Sequence, residues 1–197
     1  MEIRMTFKHC TIDLETMDNR PTSAITSIAC VMFNVDDEAT AEFKVNVDLQ
    51  SSVDLGLTLS GETIMWWMKQ DKPAQLGLFT PKPIDAKLAL LMLKEFIKSH
   101  RANGFTCWTH ATFDAPILNY AFRLIGANSP IHYREHRDIR TLTWLARGKI
   151  MGERKKPDVA HDSLSDARNQ ADYIRDHLRF FNMGAVEDAN ETPAETE

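Results

Sequence analysis

Asp13 and Glu15 stand two residues apart at the end of an apolar run that begins at Phe7, and this spacing is the first in the chain to suggest chemistry. Side chains of an extended strand alternate between faces, so Cys10, Ile12 and Leu14 turn one way and Thr11, Asp13 and Glu15 the other. Two carboxylates held that close repel unless a cation lies between them, and an all-oxygen donor set selects Mg²⁺ or Mn²⁺ over zinc. Taken alone, a DxE pair is better explained as a solvated strand end. Asp114, in FDAPIL, lies between a strand-like and a helix-like segment, where an acid alone is better explained as helix capping. His161 and Asp166 share HDSLSDA; five positions on one helix are about 140° apart, so they can face one cavity only if His161 precedes the helix. Ser163 as N-cap with Asp166 three residues later would make a capping-box arrangement, and here the structural and chemical readings stand level.

The elements that must position these residues follow from periodicity and punctuation. Residues 7–14 read as a strand, and SAITSIACVMFN (23–34) and AEFKVNV (41–47) as two more, joined by the turn-like VDDEA, which predicts an antiparallel meander. SGETIMWWMKQDK predicts a short helix capped by Ser60 and ending before Pro73, with Trp66 and Trp67 about 100° apart around its axis. IDAKLALLMLKEFIKSH predicts a longer helix presenting Leu88, Leu91, Met92, Glu95 and Phe96 to a sheet, after which Gly104 breaks the chain. FTCWTH is strand-like, PILNYAFRLIGA helical with Pro116 in its first turn and an end near Gly126, and DIRTLTWLARG a helix capped by Asp138. A basic loop with Arg147, Lys149, Arg154, Lys155 and Lys156 leads to a last helix within 161–181. No repeat or linker divides the chain, which reads as one α/β domain.

Composition sets the outer bounds. The chain has 197 residues, 43% hydrophobic and 26% charged, enough for a sizeable core. Three separated cysteines, Cys10, Cys30 and Cys107, support neither a disulfide framework nor a metal knuckle, and point to a reducing cytoplasm. No stretch approaches the roughly 20 apolar residues that span a bilayer, and the N-terminus carries no leader-like apolar run, so neither membrane insertion nor export is expected. Five acids in the tail from Gly184 account for the net charge of −5, since the remaining 23 acids match the 23 Lys and Arg. That tail is poor in large apolar residues and is expected to be disordered, giving a domain over 1–182 and an acidic extension over 183–197.

The three acidic elements occur in order along one chain, and that joint occurrence outweighs the separate structural explanations. IDLET (12–16), THATFDAPIL (109–118) and HDSLSDA (161–167) resemble the three motifs of the DnaQ-like DEDDh 3′→5′ exonucleases, over a span from Ile12 to about Phe181. TIMWWMKQ (63–70) and RDIRTL (137–142) resemble segments of phage and prophage exonucleases of the exonuclease A and exonuclease VIII-like groups. Ser163 stands where the family pattern usually has Ala.

The resemblance implies a ribonuclease H-like mixed sheet flanked by helices and two divalent cations, Mg²⁺ or Mn²⁺, held by Asp13, Glu15, Asp114 and Asp166, with His161 as general base. It implies single-stranded or 3′-overhang nucleic acid as substrate, DNA ahead of RNA, release of nucleoside 5′-monophosphates, and contacts to the terminal nucleotide from backbone groups at Thr16 and Met17. Phe113 and Trp66 are candidate stacking surfaces, with a core role the better explanation for Phe113. The same fold could instead serve an exoribonuclease or oligoribonuclease, since nothing in the motifs reads a 2′-OH, or a non-catalytic module that binds nucleic acid or a host factor. A homodimer is compatible with so compact a domain, although no apolar stripe compels one.

Overall fold

A computed structural model describes residues 5–146 and 161–181. The strands β1 (Phe7–Thr16), β2 (Ile25–Phe33) and β3 (Thr40–Asn46) form the expected antiparallel meander. Helices α1 (Leu49–Asp54), α2 (Gly61–Trp67), α3 (Lys72–Gly77) and α4 (Ala86–His100) lead to β4 (Arg101–Thr109). Then follow α5 (Asp114–Leu124), β5 (His136–Asp138), α6 (Ile139–Ala146) and α7 (Ser163–Phe180). Sheet order is β3-β2-β1-β4-β5, with β4 parallel to both β1 and β5. This mixed five-stranded sheet between helical layers is a single-domain, ribonuclease H-like α/β fold.

Alternation along β2 sets the two layers. Ile28, Cys30 and Met32 join Cys10, Ile12 and Leu14 in a core closed by α4 and α5, while Ala29, Val31 and Phe33 meet Leu142, Ala167, Ala171 and Ile174 of α6 and α7. Thr11, Asp13 and Glu15 pair with Val31, Ala29 and Ser27 and so share the α7 face. The three cysteines are buried and free. Among the described residues no helix is long and apolar enough to cross a membrane.

Several expectations need correction. Helix α4 buries Ala86, Ala89, Leu90, Leu93 and Ile97, not the face predicted: Leu88, Leu91 and Met92 are exposed, and of that set only Phe96 packs against the core. Asp85 caps the helix at Leu88 N–H, and Ala86 and Ala89 place no bulk between helix and sheet. Gly104 does not end an element; with φ of +71° it lies in β4 where the β1–β4 register shifts. The 60–72 segment is a shorter helix than expected, and α1 and α3 add two six-residue helices capped by Asp48 and Asp71. Asp138 does act at the start of α6, accepting from Arg140 N–H at 2.8 Å. The basic run from Arg147 to Lys156 and the acidic tail lie outside the described residues.

Candidate active site

The parallel strands β1, β4 and β5 all end at one edge of the sheet, and the carboxyl edge is where open α/β sheets bind ligands. Asp13 and Glu15 reach this edge from β1, and Asp166 is delivered by the first turn of α7. Each of the three offers a carboxylate oxygen within 4.8 Å of the others. The helix start explains how. Asp162, not Ser163, is the N-cap: its Oδ1 accepts from Ser165 N–H at 2.9 Å and its Oδ2 pairs with Lys44 Nζ. Ser163 is instead buried in the first turn, its hydroxyl 2.7 Å from that of Ser27. The capping-box explanation for Asp166 therefore fails, because Ser165 holds the third helical position and Asp166 the fourth.

Asp114 takes another position. It is the first residue of α5, almost fully buried, and its side chain does not cap that helix as an N-cap residue would. Oδ1 accepts from Leu14 N–H at 3.3 Å and Oδ2 from His110 N–H at 3.0 Å, tying α5 to the ends of β1 and β4. It lies outside the 4.8 Å triad, yet its charge acts on Asp13.

Electrostatics single this cluster out. Burial, then the charges of Asp114, Glu15 and Asp166, hold the Asp13 carboxyl well above the usual carboxylate range. Burial, then the charges of Asp166, Asp162 and Asp114, push Glu15 up to about 9, partly relieved by Lys44. Burial pushes Asp114 up to about 7 against its backbone hydrogen bonds. Crowded carboxylates with raised pKa values and only oxygen donors suit a hard divalent cation, which would remove the repulsion.

His161 immediately precedes the cap, in the left-handed region at φ of 60°, unusual for a residue with a side chain. Its ring meets Trp66 edge-on at 4.7 Å and Trp67 at 5.9 Å, and Trp67 donates its indole N–H to the Thr16 carbonyl at 2.9 Å. One contact chain thus links His161 to the residue after Glu15. The tryptophans divide as their spacing implies: Trp67 is core and Trp66 is 42% exposed. Thr16 and Met17 are buried, and Met17 already donates its N–H to Ala24 O and accepts from Ser60 N–H. Phe113 is half-buried against the core. Of the four proposed substrate contacts, Trp66 has the most surface to offer.

Sequence reasoning missed three supporting residues. Gln170 donates to Asp13 Oδ1 at 2.8 Å and accepts from the Thr11 hydroxyl at 2.7 Å. It follows Asp166 by four positions, one helical turn, which was a usable signal. Lys44 and Asp162 had none, because their pairing spans 118 positions.

Acidic side chains gathered at the carboxyl edge of a ribonuclease H-like sheet define a class, the nucleases that work with divalent metals. The chain belongs to the 3′-5′ exoribonuclease Rv2179c-like domain family, whose model matches residues 8–178. Membership supports a hydrolytic 3′→5′ exonuclease. The family description names RNA, whereas the resemblance of the 63–70 and 137–142 segments implies DNA. No curated protein matches the chain.

Proposed function

We propose that this protein is a DEDDh-type 3′→5′ exonuclease that shortens single-stranded or 3′-overhanging RNA to nucleoside 5′-monophosphates. The observation that carries the reading is the convergence of Asp13, Glu15 and Asp166 within 4.8 Å, in a chain whose family is described as exoribonucleases. When bound, two divalent cations, Mg²⁺ or Mn²⁺, supply water activation and charge neutralisation at the scissile phosphate. Asp13, Glu15 and Asp166 would hold them, Gln170 would fix the orientation of Asp13, and Asp114 would complete the set directly or through water. His161 would take the proton of the attacking water as general base. Trp66 supplies a stacking surface for the terminal base, the other proposed contacts being Thr16, Met17 and Phe113. Three reduced, buried thiols suit a cytoplasmic setting, a bacterial host's if the gene is carried by a phage or prophage.

DNA cleavage is the second reading, favoured by the resemblance of TIMWWMKQ and RDIRTL to phage exonuclease segments. Both are tested by following 3′- and 5′-labelled RNA and DNA oligonucleotides with Mg²⁺, Mn²⁺ or chelator, beside Asp13→Ala and His161→Ala. Metal-dependent shortening from the 3′ end, lost with Asp13→Ala and strongly slowed with His161→Ala, is expected, with RNA the faster substrate. Shortening that persists at the wild-type rate in Asp13→Ala would overturn the assignment. Folded, metal-binding protein that cleaves nothing would favour a non-catalytic binding module.

A further inference from the structure

Five of the nine described arginines are neutralised, and apart from Arg123 on α5 the rest lie together. Arg20, Arg101, Arg168, Arg175 and Arg179 each pair with a carboxylate. Arg134, Arg137 and Arg140 differ: all are exposed, and none forms an ion pair among the described residues. They recur every third position through the segment that enters β5 and starts α6. Of the two acids between them, Glu135 is engaged by Arg101 and Asp138 accepts from Arg140 N–H, which leaves three arginine charges against one carboxylate. A strip with a net positive excess on a chain of net charge −5 suits an anionic partner.

An aromatic surface lies within the same strip. Tyr133 is 71% exposed, Arg134 lies over its ring at 5.4 Å and donates to its hydroxyl, and His132 packs beside it at 4.3 Å. Arg137 uses one nitrogen to donate to the carbonyls of Arg134 and His136, which orders the turn and leaves its other donors available. The strip leads to the site: β5 runs parallel to β4 with Asp138 opposite Thr109, and the next residue, His110, donates its N–H to Asp114. The charge of Arg140 acts on Asp114 directly.

We infer that residues 133–140 bind the body of a single-stranded nucleic acid, with Arg134, Arg137 and Arg140 contacting successive backbone phosphates and Tyr133 stacking on a base, while the 3′ end occupies the carboxylate site. This inference rests on the nuclease reading. Guanidinium forks match phosphate oxygens, and exposed aromatics interleaved with cations are how proteins hold single strands without reading sequence.

The test is fluorescence anisotropy of a 5′-labelled RNA dodecamer across a salt series, with Ca²⁺ in place of Mg²⁺, alongside 3′-shortening assays in Mg²⁺. Each phosphate contact contributes about 0.7 to the slope of log affinity against log salt. Replacing Arg134, Arg137 and Arg140 together by Gln should lower that slope by about 2 and weaken binding at low salt at least about tenfold. Tyr133→Ala should weaken binding with the slope unchanged. Arg123→Gln, at an exposed arginine of α5, controls for loss of charge alone and should alter neither affinity nor slope. All these side chains are exposed, and a circular dichroism melt verifies folding of each variant. Wild-type slope and affinity in the triple variant, from a preparation whose parent shortens 3′ ends, would overturn the strip alone. A parent that neither binds nor shortens any oligonucleotide would overturn the nuclease reading and the strip with it.

Discussion

Gln170 orients Asp13 without carrying charge, its amide donating to the carboxylate while its carbonyl takes the Thr11 hydroxyl. Gln170→Ala would release Asp13 and leave the buried Thr11 hydroxyl unpaired, costing about 1–3 kcal/mol of stability. Loss of such an outer hydrogen bond lowers metal affinity about 10–100-fold. Calorimetric Mn²⁺ titration and urea unfolding measure the two effects, and an unchanged Mn²⁺ affinity would remove Gln170 from the site. Asp13 presents the opposite balance. Its carboxyl is held well above the usual range by burial and three neighbouring acids, so Asp13→Asn relieves repulsion while removing a proposed metal ligand. The variant is expected to lose turnover yet melt at a higher temperature than wild type in chelator. A lower melting temperature would show that crowding at Asp13 is not a source of instability.

Helix α7 shows what an element contributes and where sequence stops specifying it. Asp162 binds Ser165 N–H with one oxygen and Lys44 with the other, fixing the helix start between His161 and Asp166. Asp162→Ala would cost about 1 kcal/mol as a lost cap and leave Lys44 without its partner. Displacing His161 should slow turnover on the order of 10–100-fold, with Lys44→Arg milder than Lys44→Met. Single-turnover kinetics with saturating metal would detect this, and wild-type rates in Asp162→Ala would show that the cap does not position His161. Asp162 and Ser163 are both good caps, so local sequence leaves them tied; tertiary contacts to Lys44 and Ser27 decide. Likewise α4 is apolar on more than one face, and the small Ala86 and Ala89 face the sheet where larger Leu88 and Leu91 were expected. Between His9 and Glu15 of β1 the alternation holds, and the faces of Asp13 and Glu15 were therefore legible. The short helices α1 and α3 escaped periodicity because six residues complete under two turns, although Asp48 and Asp71 marked their starts.

At the scale of the whole molecule, two groups at opposite ends of the pH range shape stability. His9 stacks on Phe33 and accepts the Trp108 indole N–H, and its burial, followed by the charge of Lys8, lowers its pKa to about 4. Between about 4 and 6.5 the unfolded chain binds the proton that folded His9 refuses, so stability present above pH 6.5 is lost as pH falls. Glu15 has the opposite sign: raised to about 9, it is protonated in the folded state where the unfolded chain has released its proton. Without cations, stability is therefore lost as pH rises from about 4.5 through 9. A divalent cation binds the deprotonated carboxylates and displaces those protons, so its stabilisation must grow with pH. Melting curves from pH 5 to 9 should decline toward alkaline pH in chelator, because Asp13 and Asp114 are raised like Glu15 and together outweigh His9 even below about 6.5. With Mg²⁺ the alkaline decline should shrink or vanish, and the acid limb from His9 should emerge. His9→Phe would flatten the acid limb alone, and Asp13→Asn would shrink both the alkaline decline and its response to Mg²⁺. A Mg²⁺ effect of equal size at pH 5 and pH 9 would mean that the ion stabilises the protein somewhere other than the carboxylate cluster.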